Sequence, residues 1–215
     1  MQNQTPFIHN HQLNVIKKQA NFLLKTLRSV ADRKVLDTVR VSAVSKAMDV
    51  FDELTAEQKK LLERLADQEE AQHVQDYLNS LEPYLVPFPE VTAKQAQKLF
   101  PKVKKLKLPD LERLDYAHTT YLRWVDHATN RLFIVYENQD QFVGIEGRIT
   151  PTHKKGFCMF CNRHQELGFF NVKLKGSSPE NLSSIGQYIC MDDEACNHSI
   201  TDKAPLEKFL SSVGK

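Results

Sequence analysis

Apolar positions in the first 84 residues recur at helical spacing, and beyond Tyr121 they recur in alternation. Leu13, Ile16, Ala20, Leu23, Leu27 and Val30 step by three and four, which predicts one apolar stripe on a helix with Asn10 as its N-cap. A second helix should follow Asp32, with Leu36, Val39, Ala43, Ala47 and Val50 on its inner face. Thr55, followed three residues later by Gln58, forms a capping box that opens a third. Val74, Tyr77, Leu78 and Leu81 mark a fourth, which Pro83 stops. Four amphipathic helices with short connections predict a small antiparallel bundle over residues 1–85.

Pro83, Pro87 and Pro89 fall within seven residues and predict a stiff, extended connector, so the second domain is placed at residues 86–215. Thr92 to Phe100 reads as a short helix between a threonine cap and Pro101. Five lysines then fall between Lys98 and Lys107. With Val103, Leu106 and Leu108 turned inward, this run predicts a solvated edge strand; the other reading is a basic footprint for RNA or an acidic protein. Leu132–Tyr136 and Phe142–Ile149 flank Asn138-Gln-Asp-Gln141 and predict a hairpin, with Trp124 just upstream as a core residue. Leu167–Leu174 reads as another strand, Gly176–Gly186 as a polar loop, and Pro205–Val213 as a last helix with Thr201 and Asp202 as its possible caps. The expected fold class is α+β, an N-terminal helical bundle followed by a C-terminal α/β domain.

Composition narrows this picture only a little. In a chain of 215 residues, 41% hydrophobic content is enough for a core and 26% charged content argues against disorder. No apolar run approaches the roughly 20 residues of a membrane helix, and the polar N-terminus offers no secretory signal, so a cytoplasmic protein without membrane contact is expected. A formal net charge of +2 does not by itself imply nucleic-acid binding.

Candidate chemistry is concentrated between Gly156 and Cys196. The four cysteines come as two pairs, Cys158 with Cys161 and Cys190 with Cys196. In a reducing cytosol such short-spaced pairs point to one tetrahedral zinc ion, because each pair supplies two sulfurs to one side of the tetrahedron. Four thiolates leave no open coordination position, so the metal is expected to be structural. His164 and His198 lie near enough in sequence to serve as replacement ligands. A knuckle, strands, a second ligand pair and a helix together form the layout of a treble-clef-like zinc module. No glycine-rich phosphate loop, H-E-x-x-H or nucleophile elbow occurs, so no catalytic residue is expected.

At Lys155-Gly-Phe-Cys-Met-Phe-Cys161, Gln187-Tyr-Ile-Cys190, Cys196-Asn197 and Thr201-Asp202 the sequence resembles the FusB type of elongation-factor-G-binding protein. The likeness extends to Val86-Pro-Phe88 and Lys104-Lys-Leu-Lys-Leu-Pro109. It implies a helical bundle joined to a four-cysteine zinc domain that binds elongation factor G. Binding would promote the factor's departure from the ribosome, including when fusidic acid holds it there, and would protect the target with no change to the drug. A monomer that meets the ribosome through the factor is expected, with contact to ribosomal RNA through Lys98–Lys107 as the alternative. The resemblance makes Cys158, Cys161, Cys190 and Cys196 the zinc ligands. It makes Tyr188, Phe209, Lys208 and the knuckle residues Met159 and Phe160 the candidates for partner contact.

Overall fold

The computed structural model describes residues 5–174 and 183–213. Contacts divide the chain into two units, Met1–Val86 and Pro87–Lys215.

The helices of the first unit begin where short polar side chains can take up free backbone N–H groups. Helix α1 (Asn10–Ser29) starts one residue before the expected position, with His9 as N-cap; the His9 backbone N–H donates to Gln12 Oε1 at 2.8 Å. In α2 (Arg33–Met48), Asp32 Oδ1 accepts from the Lys34 N–H at 2.8 Å. Helix α3 (Ala56–Glu63) carries the expected reciprocal box, Thr55 N–H to Gln58 Oε1 at 2.8 Å and Gln58 N–H to Thr55 Oγ1 at 3.3 Å. Helix α4 (Ala71–Leu81) ends at a short 3-10 turn that contains Pro83. Gln12 at the start of α1 donates to the carbonyl of Val50 beyond the end of α2, so these two helices run antiparallel. The stripes meet in a core of Leu13, Ile16, Ala20, Leu23, Ala43, Ala47, Leu62, Val74, Tyr77 and Leu81.

Periodicity does not anticipate how the ends of this unit meet. Ile8–His9 (β1) pairs in parallel with Leu85–Val86 (β2), so the proline-rich connector is tied down as a strand where it leaves the bundle. An eight-residue helix such as α3 is marginal without its cap. Thr55→Ala is expected to cost about 1 kcal/mol, read as a lower urea midpoint with an unchanged slope.

The second unit is an antiparallel meander in the order β3-β4-β5-β6-β7. Its strands are β3 (Leu122–Asp126), β4 (Arg131–Asn138), β5 (Gln141–Phe157), β6 (His164–Lys173) and β7 (Ser184–Cys190). The expected hairpin joins β4 to β5 through Gln139 and Asp140, both at positive φ, as a two-residue turn of primed type requires. Alternation sends side chains to two separate cores. On one face Leu122, Trp124, Phe133 and Val135 pack with Phe88, Val91, Phe100, Val103 and Ala96 of helix α5 (Ala93–Leu99). On the other, Leu132, Ile134, Tyr136, Ile145, Phe170, Val172 and Ile189 pack with Leu206, Phe209, Leu210 and Val213 of helix α7 (Ala204–Val213). Tyr136 donates from its hydroxyl to Glu207 and so fixes α7 on β4.

Lys102–Leu108 is not an edge strand. It forms turns after α5, with Val103 buried and Leu106 and Leu108 half-buried against the first of these cores. The inward spacing was right and the strand was not, because β3 and β7 already occupy both edges of the sheet. Of the expected loop Gly176–Gly186, residues 176–182 lie outside the described residues, while Ser184–Gly186 belong to β7. Among the described residues no helix is long and apolar enough to cross a membrane.

Candidate metal centre and the sheet face beside it

The first cysteine pair sits in a tight knuckle between β5 and β6. The Cys158 N–H donates to the Arg163 carbonyl at 3.0 Å, and the Asn162 N–H returns to the Cys158 carbonyl at 2.9 Å. Asn162 takes a positive φ of 53°, a conformation asparagine tolerates better than most residues. The knuckle is tied to β7, since the Met159 N–H donates to the Tyr188 carbonyl at 2.9 Å. Cys190 closes β7, and Cys196 lies in the short helix α6 (Asp193–Asn197), whose N-cap Asp192 accepts from the Ala195 N–H at 2.9 Å. Asn197 then locks α6 onto the entry to β3, accepting from the Thr120 N–H at 2.7 Å and donating to the Tyr121 carbonyl at 3.1 Å.

These elements bring four sulfurs from cysteines as much as 38 positions apart to within 4.8 Å of one another, all buried and none in a disulfide. The Cys158–Cys196 and Cys161–Cys190 separations are 3.8 and 3.5 Å. A tetrahedron of zinc–sulfur bonds of about 2.3 Å has edges of about 3.8 Å, so the sulfurs already outline the coordination shell. The neighbouring thiols Cys158, Cys161 and Cys190 push the Cys196 thiol well above its ordinary value, and only a cation among them would let all four ionise together. Backbone donors serve the same end, with the Phe160 and Cys190 N–H groups 3.4 and 3.3 Å from Cys158 Sγ. The set fits one structural zinc. His198 is not a ligand; its Nδ1 lies 2.8 Å from the Glu194 carbonyl, and His164 packs edge-on against Phe157.

The structure separates the other candidate residues into two groups. Phe160 and Phe209 are 2% and 3% exposed, with ring centroids 5.8 Å apart, and they pack with Tyr121 and Phe170 beneath the cysteines. Both rings lie in the core of this unit. The physical reason is that α7 lies across the sheet and the knuckle turns Phe160 under it. Tyr188 and Lys208 are exposed, and Met159 is half-buried.

Periodicity missed two exposed aromatics, Phe157 at 67% and Phe169 at 36%. Phe169 is the cross-strand partner of Tyr188, itself 52% exposed, and their rings are 5.2 Å apart. Gly186 makes room for this pair, because a Cβ there would lie 2.2 Å from the Phe169 ring. Register places both rings on the face that carries Phe133, along with Arg148, Thr150 and Asn171, beyond the reach of the α5 core. The lysine run is less available than its sequence suggests, since Lys107 pairs with Asp126 at 3.7 Å. Lys98, Lys102, Lys104 and Lys105 are exposed.

Residues 7–89 match the family described as "Elongation factor G-binding protein, N-terminal", and residues 95–211 match the "FBP C-terminal treble-clef zinc-finger". Comparison with curated proteins returns no match. Among solved structures, one described as the fusidic acid resistance protein FusC is similar over 99% of this chain and 100% of its own, with a TM-score of 0.84 and 28% identity. The resemblance read from the cysteine stretch, the α+β class and the structural zinc are thereby borne out: the chain belongs to the elongation-factor-G-binding family with a C-terminal treble-clef zinc finger.

Proposed function

We propose that this chain binds translation elongation factor G through its zinc-stiffened C-terminal unit. In this reading it promotes the factor's release from the ribosome and thereby protects translation from fusidic acid. The observation that carries the reading is the Phe169–Tyr188 pair, two neighbouring aromatics left in water on a rigid sheet whose end is held by the metal centre. Exposed aromatics with few rotatable bonds are the side chains best suited to anchor a protein interface. Met159 flanks them through its hydrogen bond to the Tyr188 carbonyl, and Lys208 is a further exposed cation of this unit, on the helix that covers the opposite face of the sheet. The match of residues 7–89 to the elongation factor G-binding family supports this partner, and similarity over the whole chain to a fusidic acid resistance protein supports the protective role. To drive release, the protein must prefer the factor's departing conformation, since a ligand shifts an equilibrium only by its differential affinity. The role needs no bond-making step and leaves the drug unaltered.

The test is calorimetric titration of purified elongation factor G with the full chain. Tyr188→Ala and Phe169→Ala are each expected to weaken binding by about 2 kcal/mol, roughly thirtyfold, with zinc content and Tm unchanged. Failure of the unsubstituted chain to form any complex would sink the reading. Release is read separately, as the factor lost from pelleted ribosomes stalled with fusidic acid. A complex that forms and leaves that fraction unchanged removes the protective step and keeps the binding.

A further inference from the structure

Arg123 is a buried arginine on the core-facing side of β3. It is 3% exposed, and it reaches the metal centre: Nη1 donates to the Cys190 carbonyl and Nη2 to the Met191 carbonyl, both at 2.8 Å. Two residues earlier Tyr121 is fully buried, with its ring centroid 5.7 Å from that of Phe160 in the knuckle. The Tyr121 hydroxyl and Arg123 Nε are both shielded from water and make no hydrogen bond. Buried polar groups of this kind are costly unless something meets them.

Four thiolates around one divalent zinc carry two net negative charges, here enclosed among apolar side chains. Enclosed charge needs a counter-charge and donors nearby. We propose that Arg123 and Tyr121 form the outer support of the zinc centre, the guanidinium bracing the Cys190 backbone while offsetting the cluster's charge, and the Tyr121 hydroxyl donating to Cys196 Sγ. The placement of Tyr121 agrees: the Asn197 side chain accepts from the Tyr121 N–H at 3.3 Å and donates to the Tyr121 carbonyl at 3.1 Å, which sets Tyr121 beside the residue that follows Cys196. Arg123 and Tyr121 are positioning residues; neither is a ligand.

Zinc retention against a chromophoric chelator, measured on the full chain, tests this without reference to any partner. Tyr121→Phe keeps the ring and is expected to lower zinc affinity by about tenfold, as loss of an outer-shell partner does at other metal sites. Arg123→Gln should fall at least as far, and Arg123→Lys, which keeps the charge and gives up the fork, should retain zinc better than the glutamine variant. In cobalt-loaded protein the sulfur-to-metal charge-transfer bands should move to longer wavelength in Tyr121→Phe, because an undonated thiolate is more electron-rich. A merely structural brace would not move those bands. Wild-type affinity with unmoved bands in Tyr121→Phe, or equal losses in Arg123→Gln and Arg123→Lys, would overturn the proposal.

Discussion

Stripping zinc from this chain is expected to lower the Tm of the C-terminal unit by about 10 °C or more, a loss of about 3 kcal/mol or above. Structural zinc in small finger peptides supplies about 10–16 kcal/mol of binding free energy, all of it realised as folding. Here the expected effect is smaller because the five-stranded sheet keeps a second core around Trp124, Phe133 and Phe100 that contains no cysteine. The knuckle and α6 have no such reserve. Their four cysteines are part of the core that includes Tyr121, Phe160, Phe170 and Phe209, so loss of the ion leaves crowded thiols inside that cluster. Cys196→Ser should behave like chelation, since it removes one soft ligand from a shell with no spare. The helical unit contains no cysteine and has its own core, so its share of the far-ultraviolet helical signal should persist. Calorimetry with and without chelator, paired with elemental analysis, reads both effects; one zinc per chain is expected. An unchanged transition after complete zinc removal, with thiols freely alkylated in the native protein, would show that the ion holds nothing together.

What could be read from the sequence follows the range of the interaction that encodes it. Caps are local, so the helix start after Asp32, the Thr55–Gln58 box and the Thr92 cap were legible from three or four residues, while the reciprocal Gln95 bond was found only in the structure. The cysteine pairs were legible because ligand chemistry restricts both residue type and spacing. Strand β3 was not, and Arg123 is the reason: a charged residue at an inward position breaks the alternation that marks a strand. Its burial makes sense only once the Cys190 and Met191 carbonyls arrive from the far edge of the sheet. Helix α6, five residues long, is too short to show a period. The pairing of β1 with β2 joins residues about 77 positions apart and leaves no local trace. Phe169 and Phe170 show the same limit side by side. One points to α7 and the other to water, and the sequence cannot say which until it is known where α5 stops covering the sheet.

That distinction makes Phe209 the most informative single substitution in the C-terminal unit. The resemblance made the residue a candidate for partner contact, yet its ring is 3% exposed and lies 5.8 Å from both Phe160 and Phe170. Truncation of a buried phenylalanine costs about 3–5 kcal/mol through lost burial and the cavity left behind. Phe209→Ala is therefore expected to lower Tm by about 10 °C or more, and any loss of affinity for the factor should follow from loosened packing beneath the cysteines. Phe209→Leu retains most of the volume and should cost less than about 1.5 kcal/mol while binding near-normally. Tyr188→Ala should show the opposite signature, weak binding by a chain that melts like the parent. Thermal melts and titrations of the three variants form the comparison. A Phe209→Ala protein that melts normally and fails to bind would mean that the ring acts at the surface, and the assignment of Phe209 to the core would have to be abandoned.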